Sequence, residues 1–464
     1  MKTRAVATIG TCLLANNALL AAEPTAPPTE KSAFMQFMEQ DYLFGTWGGK
    51  RTWLQEHGVD FEFVYFGAWP RNMQGGRETG QVYEGTLMAL LDLDSERLLG
   101  YSGGHLRASG LSIHNGARFS ATYVGDLNQV SLLDFPDSLR LWELWYEQKM
   151  FSGKLSFKFG QMAVDQDFIT PEYYLSLASL NFLNQTFFYP TVAFNVYDQS
   201  IDGFPVGHHG LASTPYGAPG ARLRYSPTER CYVQAGVYDG NPDRFGDGTR
   251  INLHEEEGAL AYFEIGYRLN GATGDTGLPG NYKVGGWYHT DEFFDYGSTL
   301  TAPLTGEAPE MHSGNWGVYF LADQTLYREN ELDKDPARQG LAGFFRVAAT
   351  PVAQNIAPLG IDGGLVYKGL IPSRDWDTFG VAFSYLEMSD EIADAQRFIN
   401  SVVPPNSPFR SVPVDYEAVL EVSYRAQLTA WWTLQPDFQY VMHPGGSREH
   451  DNAFVFSLFT TLRF

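Results

Sequence analysis

The sequence predicts an all-β protein: a transmembrane antiparallel β-barrel of about 16 strands behind a short N-terminal helical segment. Three observations predict it. Apolar and polar residues alternate along many short segments, and the pattern runs to the terminal Phe464. After residue 22 no apolar run approaches the ~20 residues a membrane helix needs. Tyr and Trp gather near strand ends, as at Trp431, Trp432 and Tyr440, where an interfacial aromatic girdle would sit. Hydrocarbon leaves open sheet edges unsatisfied, so strands that span a membrane must close into a barrel.

The chain begins with a secretion-type leader. Lys2 and Arg4 precede a modest apolar stretch, Ala5 to Leu14, and Leu19-Leu20-Ala21-Ala22 offers a small-residue cleavage site. Residues 1–22 are therefore expected to be removed after Ala21 or Ala22. Residues 23–58 form a spacer and a short helical segment. Glu23 to Glu30 (EPTAPPTE) is too rich in proline for a packed element. Trp47, Arg51 and Leu54 then share a helical face, with Gly58 as the C-terminal cap.

From Val59 the period changes to two, and residues 59–464 read as the barrel. Val59, Phe61, Phe63, Tyr65 and Trp69 oppose Asp60 and Glu62. Leu87, Ala89, Leu91 and Leu93 alternate with Asp92 and Asp94, and Trp142, Leu144 and Tyr146 with Glu143, Trp145 and Glu147. Phe151-Ser152-Gly153 is a hairpin turn into Leu155, Phe157 and Phe159, which alternate with Lys154, Ser156 and Lys158. The second half repeats this at Ala261–Leu269, Tyr282–His289 and Trp316–Asp323, and then at Glu417–Leu428, Leu434–His443 and Phe454–Phe464. One face suits lipid and the other a wet lumen. Four irregular stretches are expected as external loops: Asp198–Ala221, Asp239–Glu257, Ala302–Gly314 and Phe398–Val414.

The composition excludes several classes. The formal charge of -22 leaves no basic surface to neutralise phosphates, so no nucleic-acid partner is expected. Cys12 lies in the leader, so Cys231 has no intrachain disulfide partner in the mature chain. Asp239-Gly240-Asn241-Pro242-Asp243 resembles the start of a calcium loop, but Arg244 and Arg250 stand where Gly and Glu are required. His208-His209 lacks partnered ligands, and no metal or cofactor is expected. Glu255-Glu256-Glu257 reads as a solvated loop face. Gly100-Tyr101-Ser102-Gly103-Gly104 matches a nucleophile elbow, but alternating stretches flank it where a strand and a helix are needed. A glycine-rich turn is the better reading, and no enzyme is expected.

Specific strings carry a resemblance. They are Leu43-Phe44-Gly45-Thr46-Trp47-Gly48-Gly49-Lys50-Arg51, Leu141-Trp142-Glu143-Leu144-Trp145-Tyr146-Glu147-Gln148, Gly285-Gly286-Trp287-Tyr288-His289-Thr290 and Tyr367-Lys368-Gly369-Leu370. Gln435-Pro436-Asp437-Phe438-Gln439-Tyr440 and His443-Pro444-Gly445-Gly446 complete the set. In this order the chain resembles the OprB-type carbohydrate-selective porins. The resemblance implies a sixteen-stranded outer-membrane barrel that lets sugars diffuse into the periplasm, lipid around it, and a homotrimer.

A sugar channel needs lumen groups that replace hydroxyl hydration without holding the solute. Carboxylates and amides accept from hydroxyls, Arg and Lys donate, and aromatic faces can cover pyranose rings. Glu143, Trp145, Glu147, Lys158 and Gln161 combine these types on one hairpin. Gln161 falls on the lipid parity of its strand and needs a bend at Gly160 to face inward. His105, Arg107, Glu264, Arg268, Lys283, Trp287 and His289 are further pore-lining candidates.

Overall fold

The computed structural model describes residues 32–115, 118–171, 181–188, 213–242, 246–249, 258–329 and 339–464. The expected leader, the proline-rich stretch Glu23–Glu30, His208-His209 and Glu255–Glu257 lie outside the described residues.

Sixteen long strands follow one another around the wall. They are β1 (Val59–Gln74), β2 (Glu84–Asp94), β3 (Gly104–His114), β4 (Ser138–Met150), β5 (Leu155–Met162), β6 (Ala218–Tyr225), β7 (Cys231–Asp239) and β8 (Ala259–Leu269). The second half comprises β9 (Gly280–Phe294), β10 (Met311–Arg328), β11 (Gly340–Ala349), β12 (Leu359–Lys368), β13 (Thr378–Glu387), β14 (Tyr416–Thr429), β15 (Trp432–Met442) and β16 (Ala453–Arg463). A two-residue rung at Gly80–Gln81 also pairs with β1. Each strand is antiparallel to the next, and the last closes on the first, with Val64 opposite Arg463 and Gln74 opposite Phe454. No helix among the described residues is long and apolar enough to cross a membrane.

The alternation sorts side chains as lipid and lumen require. On β8, Phe263, Ile265 and Tyr267 are exposed outward, while Tyr262 and Glu264 are buried inward. The tight turn Phe151-Ser152-Gly153 has all three residues at positive φ, a conformation two of them adopt at a cost. The rims differ. Connections 95–103, 151–154, 226–230, 270–279, 369–377 and 430–431 lie at one rim with the start of β1 and the C-terminus. Longer connections join the strands at the other rim, where residues 118–137 and 388–415 lie. In barrels of this type the short turns face the periplasm.

Among the described residues five short α-helices decorate the rims: α1 (Ala33–Glu39), α2 (Lys50–Glu56), α3 (Ser95–Leu99), α4 (Tyr296–Thr305) and α5 (Asp390–Val402). Trp47 precedes α2 in a turn rather than sharing its face, and Gly58 follows it at φ +86°. A Cβ at Gly58 would come within 2.7 Å of the Arg97 Cβ, so glycine is required there. Two expected loops are partly helical. α4 fills the start of Ala302–Gly314, capped by the Asp295 carboxylate accepting from the Ser298 N–H, and β10 begins at Met311. α5 reaches into Phe398–Val414, with Asp390 and Glu391 in its first turn and Ile392, Ala395 and Ile399 buried. The stretch Asp198–Ala221 ends early because β6 starts at Ala218.

Candidate functional site

Two long-rim connections turn inward and fill part of the lumen. The first, over 118–137, packs Phe119, Val124 and Val130 against the inward residues Val419, Val441 and Val455. Its Leu132, Leu133 and Phe135 join inward Val64, Phe66, Met88, Leu90, Leu111 and Ile113 in one core. The second, over 163–171 and 181–188 of the β5–β6 connection, sets Phe182 against Phe187 and Phe344, with centroids 5.2 and 5.9 Å away. Gly380 leaves the space this needs, because a Cβ there would stand 2.8 Å from the Phe182 ring. The two loops are tied together. Gln185 donates its N–H to the Gln129 carbonyl at 2.9 Å and its amide to the Ser131 carbonyl at 3.0 Å.

Carboxylates on the wall fix where the loops sit. Glu417 accepts from the N–H groups of Leu127 (2.8 Å), Asn128 (2.9 Å) and Gly445 (2.8 Å). One turn of pleat away on β14, Glu421 accepts from Leu183 (2.5 Å) and Asn184 (3.1 Å). Gln439 on β15 donates to the Val130 carbonyl at 2.8 Å and accepts from the Asn184 amide at 3.0 Å. Glu84 accepts from the Ser131 hydroxyl at 2.5 Å. Within the first loop, Asp134 accepts from the N–H groups of Phe119 and Ser120. Burial raises its pKa and pushes that of Asp126 up to about 7.

The opposite wall carries ion pairs. Arg107 grips Asp92 through two bonds of 2.8 Å, and His105 reaches the same carboxylate at 2.8 Å. Lys158 pairs with Asp167 at 2.8 Å, and Arg222 with Glu147 at 2.7 Å. Trp145 lies between these groups, with the Lys158 ammonium 4.2 Å and the Arg107 guanidinium 5.4 Å from its ring.

The sequence-derived residues separate by what they touch. Glu143, Trp145, Glu147, Lys158, His105, Arg107, Glu264, Arg268, Lys283, Trp287 and His289 all occupy inward register positions. Most are covered by neighbours. Glu264 accepts from the Ile169 N–H, the Tyr232 and Tyr319 hydroxyls and the Gln234 amide, all within 3.1 Å, so it anchors the second loop. Lys283 donates to the Thr170 carbonyl at 2.6 Å and serves the same loop. His289 sits 2.9 Å from the Gly240 carbonyl and holds the β7–β8 connection. Trp145 and Trp287 are buried and present no open ring face. Glu143 is fully buried near Lys158 and Arg107. Arg268 is half-buried near the Tyr232 ring.

Gln161 leaves the set. It pairs in register with outward-facing Leu144, despite the φ of +134° at Gly160. Its amide donates to the carbonyls of Leu141 (3.0 Å) and Trp142 (3.4 Å), beside Gly217 and Gly248. It serves the irregularity of β4 where Trp142 interrupts the β3–β4 register. Side chains that a solute can reach are few. Asp92 and His105 keep 21% and 26% of their side-chain surface, and Lys149 keeps 31% beside Glu147. Sequence reading missed Asp92, Glu417, Glu421 and Gln439 as functional residues, although it had placed all four on the inward faces.

Other motifs resolve simply. Ser102 lies in the turn after α3 and donates to Glu96 at 3.2 Å; a helix precedes it and a strand follows, the reverse of a nucleophile elbow. Among the described residues no three His, Cys, Asp or Glu side chains group to hold a metal.

A closed, lipid-belted barrel whose own loops narrow a polar lumen is a porin-type channel of the outer membrane. The comparisons agree. The chain belongs to the family described as carbohydrate-selective porin, OprB family, whose model matches residues 78–464. It is 28% identical to Porin B of Pseudomonas aeruginosa over 98% of this chain and 97% of that protein. It is 23% identical to the putative porin QuiX of Acinetobacter baylyi, over 92% and 94% of the two chains. The high-pH structure of Pseudomonas putida OprB superposes with a TM-score of 0.79 at 25% identity, covering 92% of this chain and 99% of that one. The protein is thus an outer-membrane channel for carbohydrates, and its family is one of channels rather than enzymes.

Proposed function

We propose that sugars descend along the β2–β4 wall, past the gap the two inward loops leave, and exchange hydroxyl hydration for Asp92, His105 and the Glu147–Lys149 pair. The observation that carries this reading is the partial exposure of the Asp92–His105 pair while Arg107 behind it is buried. Arg107 fixes the carboxylate, so Asp92 accepts from a passing hydroxyl without reorganising. The ion pair already satisfies most of its valence, which keeps the contact weak enough for release. The buried inward residues act by holding the loops, which sets the largest solute that passes.

Liposome swelling tests this. Wild-type vesicles should admit a neutral hexose faster than a neutral amino acid of matched size. Asp92→Ala combined with His105→Ala should reduce that preference several-fold. Equal rates in the wild type would remove the preference from this chain, and an unaltered preference in the variant would move the contact elsewhere. The homotrimer implied by the resemblance is proposed as the assembled form; a lone protomer in native mass spectrometry of the solubilised channel would end it.

A further inference from the structure

We propose that residues 33–56, which precede the barrel, form an external collar that inserts aromatic side chains into the head-group boundary of the inner leaflet of the outer membrane, so that the protein binds lipid beyond its barrel wall.

The collar runs along the short-turn rim, and its aromatic side chains touch outward-facing residues at the ends of successive strands. Phe37 packs on Trp431 at 5.2 Å and accepts its indole N–H at 3.3 Å; Trp431 in turn lies 6.1 Å from Trp432 at the start of β15. Phe44 meets Phe464 at the end of β16, with centroids 5.3 Å apart, and the Leu43 N–H donates to the Arg463 carbonyl at 2.8 Å. Trp47 stacks on Phe61 of β1 at 5.0 Å. The Arg97 guanidinium, at the β2–β3 turn, donates to the Gln55 carbonyl at 3.0 Å. Contacts therefore fall on β15, β16, β1 and β2, which are neighbours around the wall. Phe61 and Trp432 hold the register parity of the lipid-facing row, opposite to inward Glu62 and Thr433. Gln55 also bonds inward Asp60 at 2.9 Å, and the Tyr42 ring lies 5.3 Å from the guanidinium of inward Arg463, so the collar straddles the rim with Phe37, Phe44 and Trp47 on the side of the lipid belt.

Arg51 holds the collar rigidly. It is 1% exposed, stacks on Tyr42 at 3.6 Å, and donates to the Phe61 carbonyl at 3.0 Å and to a terminal Phe464 oxygen at 2.7 Å. Those two acceptors stand on the first and last strands, so the clasp fixes the segment across the seam. The collar also keeps apolar side chains open: Phe34, Phe44 and Trp53 are 70%, 64% and 57% exposed. Leu99 and Tyr101 extend the open patch along the same rim. Aromatic and aliphatic groups at a membrane–water boundary gain from burying one end while the other stays wet. Continuity with the belt selects lipid, rather than a protein partner, as the occupant.

Nitroxide labels give the test. Both cysteines, Cys12 and Cys231, are replaced by serine, and single cysteines are placed at Phe44, Trp53, Val284 and Asp394 in the full-length channel. The labelled protein is reconstituted in phosphatidylethanolamine–phosphatidylglycerol vesicles. Val284 is exposed on the belt and Asp394 is exposed on α5 at the other rim, so they calibrate lipid and water. The oxygen-to-nickel-chelate accessibility ratio at 44 and 53 should shift away from the Asp394 value towards the Val284 value. Ratios equal to that at Asp394 overturn the collar. Protection from both reagents, with spin–spin broadening that disappears on dilution with unlabelled protein, also overturns it, because a second copy would then cover the face. A label at Lys50, on the polar part of α2, should remain nickel-accessible in the same folded channel and shows that any shift is local.

Discussion

Two walls of the lumen use the same residue type for different work. On β2–β6, carboxylates face cations: Asp92 faces Arg107 and His105, and Glu147 faces Arg222. On β14, Glu417 and Glu421 face backbone N–H groups of the inward loops. A carboxylate held by a guanidinium keeps a lone pair for a passing hydroxyl. A carboxylate filled by backbone amides positions a loop and offers a solute little. Parity alone cannot separate these uses, since both sets point inward; the partner does.

The largest effect should follow from breaking a cation's hold on the first wall. Arg222 is 5% exposed and bonds Glu147, with Asp167 3.5 Å away. Arg222→Met removes the cation and leaves buried carboxylate, a loss of about 3–5 kcal/mol in comparable pairs. Urea titration of the detergent-folded barrel should show the midpoint fall sharply, and adding Glu147→Gln should recover part of the loss. An unchanged midpoint would mean that water penetrates this wall and that the contrast between the walls is one of solvent rather than partner.

A smaller stability effect with a larger functional one is expected on the second wall. Glu421→Gln keeps the shape but aims an amide N–H₂ at loop N–H groups, costing about 1–3 kcal/mol for the unsatisfied donors. The loop over 181–188 should detach more often. Single-channel conductance should rise, and the ratio of monosaccharide to disaccharide swelling rates should fall towards one. Wild-type conductance and ratio in this variant would show that the loop is held by its Phe182–Phe344 packing and not by the carboxylate.

Much of this was legible before the fold was seen, for physical reasons. Lipid on one side and water on the other enforce a period of two, so Phe263–Glu264–Ile265 declares its faces directly. The closure of β16 on β1 followed from the last strand's outward row. The inward loops were not legible, because their consequence is an interruption of that pattern. Where loop 118–137 packs, Val64, Phe66, Met88 and Leu90 are apolar and inward, so both faces of β1 and β2 are apolar there. Strands with two apolar faces at one end signal an interior cover, and Val64-Tyr65-Phe66 carries that signal. The assignment of Glu264, Lys283 and His289 to solute contact failed to reckon with the loops as competing partners. Gln161 followed its parity, and the bend at Gly160 did not overturn it.

The smallest effect sharpens the second wall through pH. Asp126 lies in the inward loop 118–137, and burial pushes its pKa up to about 7, with Asp134 adding repulsion. An unfolded or undocked aspartate titrates near ~3.9. The docked loop therefore binds more protons than the undocked one between those values, and the stability of docking falls as pH rises through that window. The stabilisation is fully present near pH 4 and lost above about pH 7. Hydrogen exchange of residues 118–137 should be slower at pH 5 than at pH 8 after correction for intrinsic rates. Asp126→Asn, which is neutral throughout, should weaken the dependence, leaving the part that Asp134 contributes. A wild-type loop protected equally at pH 5 and pH 8 would show that Asp126 is solvated when the loop is docked. The loop would then owe its place to Glu417 and the valine cluster alone.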